Sequence, residues 1–186
     1  MPRLTVFNSV TLDGYFTGPG GDMSWAHKSD PEWNAFVYDN AAGGGRLLFG
    51  RVTYDMMASF WPTEHARQLA PAVAEHMNTL PKVVFSRTLK EASWSHTTLV
   101  KDDLVGAVRR MKEDDGPDMV ILGSGTIVAQ LAGAHLIDEY QIALNPTILG
   151  RGRTMFDGVT DPPKLALKDS RAFGNGNVVL TYGALA

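Results

Sequence analysis

Gly50, Arg51, Val52, Thr53 and Tyr54 follow the apolar run Arg46 to Phe49 and so stand where a strand hands over to a helix. Glycine lets the backbone turn sharply, and a helix start offers N–H groups with no intrahelical acceptor. Arginine and a threonine hydroxyl then complete an anion site. The plain alternative is a strand-to-helix turn with a solvated Arg51. Gly123, Ser124, Gly125 and Thr126 repeat the arrangement after the apolar Met119–Leu122, where backbone amides could cradle a pyrophosphate. The third glycine position of the dinucleotide fingerprint is occupied by Val128 and the motif lies late in the chain, so no Rossmann domain is predicted.

Ser86 and Arg87 close another apolar run, and a hydroxyl with a guanidinium there suits a further phosphate. Two arginines at the ends of neighbouring strands, beside a glycine-rich helix start, suit a dinucleotide with an additional phosphate on one ribose. That favours NADP over NAD. Asp13 and Gly14 follow the first strand, with Trp25 in the loop beyond. They read either as a turn and a core indole, or as a carboxylate that orients a polar substrate beside an aromatic wall. The five histidines never recur at helical ligand spacing, and no metal site is expected. Ser124 lacks the spacing of a nucleophile elbow, and no Gly-Lys-Ser/Thr phosphate loop occurs.

The elements that must position these residues follow from periodicity and turn chemistry. Residues 3–9 read as a buried strand leading into a long glycine-containing loop. Asp30 and Pro31 signal a helix start, Trp33, Phe36 and Val37 repeat at helical spacing, and Gly43, Gly44 and Gly45 stop them. Strands are predicted over 46–49, 82–86, 119–122, 140–145, 164–173 and 178–182. Helices fall over 53–60, 64–78 with an interruption at Pro71, 101–113 behind a cap-like Asp102, and 126–131. Gly174, Asn175 and Gly176 join the last two strands as a hairpin. Alternating strands and helices with a terminal hairpin predict an α/β layer fold, and ligands in such sheets sit outside the carboxyl ends of the parallel strands.

The chain has 186 residues, enough for one domain (1–186), with no internal linker or repeat. A formal charge of -3 and interspersed charges speak against nucleic acid and against an anionic membrane surface. The absence of cysteine excludes disulfides, thiolate-ligated metals and thiol catalysis. Without a basic head and apolar run at the start, or eighteen consecutive apolar residues anywhere, the chain is expected to be soluble and cytoplasmic.

These motifs, in this order, resemble the dihydrofolate-reductase-like superfamily, and within it the C-terminal reductase domain of bacterial riboflavin-biosynthesis deaminase–reductases. The resemblance is carried by Thr11-Leu12-Asp13-Gly14, Trp25, the run Leu48 to Tyr54, Val83 to Arg87 and Leu122 to Thr126, with Pro146 to Gly150 and Phe156 later. It implies a three-layer fold around a mostly parallel eight-stranded sheet with a C-terminal antiparallel hairpin and helices on both faces. It also implies an NADPH-dependent reductase acting on a small polar heterocycle, and a homodimer. By position, Gly50, Arg51 and Thr53 would hold cofactor phosphates, Ser86 and Arg87 the 2′-phosphate, and Gly123, Ser124, Gly125, Thr126 and Ile127 the pyrophosphate. Ser9 and Phe16 would flank the nicotinamide, and Asp13 would serve substrate binding or proton delivery, with Trp25 beside it. Dihydrofolate reductases place a carboxylate early in the first helix, where this chain has Asn34, so a dihydrofolate reductase proper stands only as an alternative. A non-catalytic nucleotide-binding module remains the alternative from another class, and a flavin-binding sheet protein a third reading.

Overall fold

The computed structural model of the chain describes residues 1–27, 30–42 and 45–185. Its elements run β1 (Leu4–Thr11), α1 (Pro31–Ala42), β2 (Arg46–Gly50), α2 (Arg51–Phe60), α3 (Glu64–Leu69), α4 (Pro71–Thr79), β3 (Lys82–Phe85), β4 (Thr97–Val100), α5 (Leu104–Glu113), β5 (Met119–Leu122), α6 (Gly125–Gly133), β6 (Glu139–Asn145), β7 (Leu165–Ala172) and β8 (Val178–Ala184). The strands form one eight-stranded sheet in the order β4-β3-β2-β5-β1-β6-β8-β7. Neighbours from β4 to β6 are parallel, and β8 alone runs against both of its neighbours. This is the α/β layer fold with a terminal hairpin that the residue pattern predicts, and the eight-stranded, mostly parallel sheet that the resemblance implies.

The two faces are covered differently. Leu4, Val6, Leu48, Met119 and Ile121 point to one side and pack under Ala107 and Val108 of α5 and Val128 and Leu131 of α6, a closed core. On the other side Leu47, Phe49 and Val84 meet Tyr54 and Met77 from α2 and α4. Farther along that face, Trp33 of α1 packs with Phe173 and Val179 of the terminal hairpin. The Asp30 carboxylate caps α1 by accepting the Trp33 N–H at 3.0 Å, as the Asp-Pro start predicts. Gly43 and Gly44, two of the glycines expected to stop α1, lie outside the described residues; Gly45 has φ +113 just before β2.

Three boundaries differ from expectation. β4 carries no alternating pattern and pairs only with β3 at the sheet edge, so its four residues give almost no sequence signal. The cap of α5 is Asp103, not Asp102: its carboxylate accepts the Gly106 N–H at 3.0 Å, while Asp102 stands opposite Arg87. And α2 begins at Arg51 directly, with no loop after β2. Pro71 does split the 64–78 stretch, starting α4 one residue after the cap of α3.

Lys82 opens β3 with its side chain sealed in. Its ammonium donates to the Leu80 carbonyl at 2.6 Å and the Asn78 carbonyl at 3.3 Å, and lies 4.6 Å from the Trp94 ring centroid. Burial pushes its pKa down from 10.5 to about 8.

Candidate active site

The carboxyl ends of β1, β2, β3 and β5 open into a cleft of ≈ 1280 Å³. All twelve residues that the resemblance assigns to a cofactor line it: Ser9, Phe16, Gly50, Arg51, Thr53, Ser86, Arg87, Gly123, Ser124, Gly125, Thr126 and Ile127. Segments far apart in the chain thus converge because parallel strands bring all their following loops to one edge.

The centre of the cleft is a knot of loop contacts. Asn8 is a buried polar residue within β1; its carbonyl accepts the Gly123 N–H at 2.6 Å and its amide donates to the Gly123 carbonyl at 3.1 Å. Thr53 Oγ1 accepts the Ser124 N–H at 3.1 Å, and Ser124 Oγ accepts the Gly50 N–H at 2.7 Å. Gly123 and Ser124 both have left-handed backbones, with φ +66 and 61. For serine that conformation costs on the order of 1 kcal/mol, which the flanking hydrogen bonds offset. A Cβ on Gly123 would lie 2.8 Å from Thr53 Cγ2, so glycine is required there twice over. Gly50 has an ordinary φ of -80; what glycine provides there is proximity, since a Cβ would stand 3.4 Å from Ser124 Oγ.

This knot refines the roles implied by resemblance. The Ile127 N–H is already donated to the Ser124 carbonyl at 3.0 Å and its side chain is in the core, so Ile127 anchors the loop. The N–H groups of Gly125 and Thr126, in the first turn of α6, have no intrahelical acceptor and form an electropositive helix start. Arg51 is half-exposed and meets Asp55 one helical turn on at 3.1 Å. Arg87 is largely exposed, 3.9 Å from Asp102, a loose pair that leaves the guanidinium free to engage an anion. The Ser86 hydroxyl accepts the Leu89 N–H at 3.0 Å and so shapes the turn that presents Arg87.

Asp13 and Trp25 do not line the cleft. The Asp13 carboxylate accepts the Thr11 hydroxyl at 2.6 Å, the Gly150 N–H at 2.7 Å and the Leu149 N–H at 3.2 Å. The Thr11 hydroxyl foremost, opposed by desolvation and then seconded by the Gly150 and Leu149 amides, holds its carboxyl below the ordinary 3.8. It is a clamp between the turn after β1 and the loop after β6, kept ionised, and a poor proton donor. Trp25 is buried with its indole N–H donated to the Asp22 carbonyl at 3.1 Å, the core indole of the plainer reading. Neither acid in the first turn of α1 faces the cleft: Asp30 caps the helix and Glu32 pairs with Arg171 at 2.8 Å.

Asn8, Thr17, Lys101 and Arg153 also line the cleft and were not anticipated. Asn8 had a signal, a polar residue at a core-facing position of an apolar strand; Arg153 arrives through an isolated bridge to Thr17, which no local pattern announces. Among the described residues no three His, Asp or Glu side chains converge as a metal-ligand group, and no helix is long and apolar enough to cross a membrane.

The strand order, the single reversed strand and a cleft at the glycine-bearing strand ends define a protein of the dihydrofolate-reductase-like class. The chain belongs to the RibD C-terminal domain family, whose model matches residues 2–179. Two uncharacterized Bacillus subtilis proteins are similar over nearly their whole length: YyaP is 25% identical, covering 97% of this chain and 94% of its own, and YwjB 27%, covering 94% of each. Among solved structures, a protein from Shewanella sp. PV-4 described as a candidate for riboflavin biosynthesis superposes with TM-score 0.75 at 23% identity over 99% of both chains. The deaminase/5-amino-6-(5-phosphoribosylamino)uracil reductase of Thermotoga maritima gives 0.70 at 18% identity, covering 99% of this chain and 57% of that one. These likenesses carry the fold.

Proposed function

We propose that this chain is an NADPH-dependent reductase acting on a small molecule. The observation that carries the reading is the convergence of all twelve cofactor candidates on one cleft, around a glycine loop fixed by Asn8 and Thr53. Family membership supports it, because similar folds include the uracil reductase of Thermotoga maritima and a riboflavin biosynthesis reductase of Saccharomyces cerevisiae.

The residues fit a dinucleotide phosphate. Gly125 and Thr126 N–H groups would take the pyrophosphate, Arg51 would neutralise it, and Arg87 would hold a 2′-phosphate at the end of β3. Ser9 and Phe16 would border the nicotinamide, with Thr17 Oγ1, which has no hydrogen-bond partner, on the same wall. When bound, NADPH supplies the hydride. The chain's residues orient the reactants and exclude water from the loop knot. Asp13, off the cleft and committed to three donors, is not assigned the proton transfer in this proposal. We retain the homodimer as part of this proposal, supported by the exposed Leu165 and Leu167 on the edge strand β7.

Trp33 and Trp61 both border the cleft, so quenching of intrinsic fluorescence reads occupancy directly. Saturable quenching by NADPH, weaker for NADH and weakened in Arg51→Ala and Arg87→Ala, is the expected result. No quenching by NADPH at millimolar concentration ends the reductase reading.

A further inference from the structure

The two innermost strands are sealed on one face and only partly covered on the other, where Val120 and Leu122 touch the cluster under α2 and α4 and Phe7 touches the one under α1. Along β1 and β5, Leu4, Val6, Met119 and Ile121 are buried under α5 and α6, whereas the alternate residues Thr5, Phe7, Val120 and Leu122 are only half-buried. In a parallel sheet both faces are ordinarily sealed by helices, and central strands most completely. Here α1 spans from the hairpin to α4: Trp33 and Phe36 each pack 5.1 Å from Phe173, ring centroid to centroid, Tyr38 meets His76 of α4 edge-on at 6.4 Å, and over the central strands the edge of Phe36 reaches Phe7 at 6.1 Å. The sheet between α1 and α2 is left open, and this opening is continuous with the cofactor end of the cleft.

The lobe has a defined chemistry. Its floor is Phe7, Val120 and Leu122, and its walls are Val37 from α1, Met57 from α2 and Met77 from α4. Unbranched methionines accommodate flat rings of varied outline. From Ser9 to Thr5 the floor follows four residues of β1, about 13 Å at strand rise, the length of two or three linked rings. At the far end the Asn40 side-chain amide donates to Gln141 Oε1 at 2.8 Å, a neutral pair. The Glu139 carboxylate there is already held by Arg3 at 2.9 Å and Lys168 at 3.0 Å. Among the described residues, the cations that line the cleft, Arg51, Arg87, Lys101 and Arg153, all stand in the loops at the carboxyl ends of the strands or on the first turn of α2. A phosphate in the lobe would lose its water against Phe7, Val120 and Leu122 with no described cation lining the lobe to replace it.

We propose that the lobe between α1 and the open face of β1 and β5 is the substrate site, and that it takes an uncharged, flat, elongated molecule and excludes a phosphorylated sugar. The substrate assignment rests on the reductase reading above; the lobe's preference for a neutral apolar ligand does not. A substrate of this kind would separate the present chain from a reductase whose substrate carries a phosphoribosyl group.

The test uses N-phenyl-1-naphthylamine, a neutral two-part aromatic whose fluorescence rises in apolar sites, titrated into the intact protein without NADPH. Saturable enhancement is expected, weakened at least tenfold in Val37→Phe and in Val120→Phe, because each added ring occupies the lobe. Ribose 5-phosphate at millimolar concentration should not displace the probe. NADPH quenching, read separately, should stay within twofold in both variants, which shows that they are folded; two positions on different elements guard against failure of either. Probe binding that ignores both substitutions, an absence of probe binding, or displacement by ribose 5-phosphate overturns the proposal even when NADPH binds normally. Conversely, loss of NADPH binding in the unmodified protein with the probe pattern intact removes the reductase reading and leaves the lobe as a site for neutral ligands.

Discussion

Thr53 Oγ1, in the first turn of α2, accepts the backbone N–H of Ser124 at 3.1 Å across a sequence separation of 71 residues. This bond ties the β2–α2 junction to the β5–α6 junction, so the two glycine motifs form one rigid unit.

Replacing Thr53 by Val keeps the shape and removes the acceptor. The stranded Ser124 N–H should cost about 1–3 kcal/mol, seen as a fall of several degrees in Tm. NADPH affinity should fall about tenfold through misplacement of the Gly125 amide, whereas Thr53→Ser should restore both. Equal behaviour of the Val and Ser variants would show that the hydroxyl does not organise the loop.

Gly123→Ala and Gly14→Ala form a contrast. Both glycines have positive φ, +66 and +86, but a Cβ at Gly123 meets Thr53 Cγ2 at 2.8 Å while at Gly14 nothing lies within 4 Å. The first variant should lose most NADPH-dependent quenching and the second should keep it, each paying about 1 kcal/mol of backbone strain. Indistinguishable titrations would refute the close-packed loop.

Asp13→Asn should leave NADPH binding within twofold, since Asp13 stands off the cleft. Its effect belongs to stability. A carboxyl whose folded pKa lies below its ordinary 3.8 stabilises the fold above that value and ceases to do so as pH falls through the folded pKa. Wild type should therefore melt above the Asn variant at neutral pH, with the gap closing below about pH 3.8. A gap that persists in acid would show that charge is not involved.

Lys82 titrates with the opposite consequence. With a folded pKa of about 8 against 10.5, the unfolded chain binds the extra proton between these values, so this group adds stability as pH rises through that window. Chemical denaturation of wild type and Lys82→Met at several pH values should show the difference moving in favour of wild type from pH 8 upward. A constant difference would mean that the ammonium is not desolvated as its burial indicates.

Much of this arrangement is legible in the residues themselves. Gly50 and Gly123 announce their junctions because glycine punctuates strand ends, and parallel strands send every such junction to one edge. Asp13 misleads for a physical reason: an acid beside a conspicuous turn looks reactive, while its three donors, Thr11, Leu149 and Gly150, come partly from a loop more than 130 residues away. The same distance hides Asn8, whose partner Gly123 is 115 residues on. β4 escapes notice because an edge strand of four residues needs no regular alternation. The open lobe has no local signature at all, since Val120 and Leu122 read as core in any apolar strand.

The sheet order places β8 between β6 and β7. During synthesis on the ribosome β7 therefore emerges before the strand that joins it to the sheet, and waits unpaired until β8 follows. β7 can join the sheet only through β8, whichever of the two pairings of β8 forms first. Because Trp33 and Phe36 rest on Phe173 at the tip of the hairpin, the α1 wall of the cleft gains its packing partner only after the segment through residue 173 has been made, about 140 residues later. The α1 wall of the cleft is thus completed by a contact that cannot form until seven of the eight strands have been synthesised.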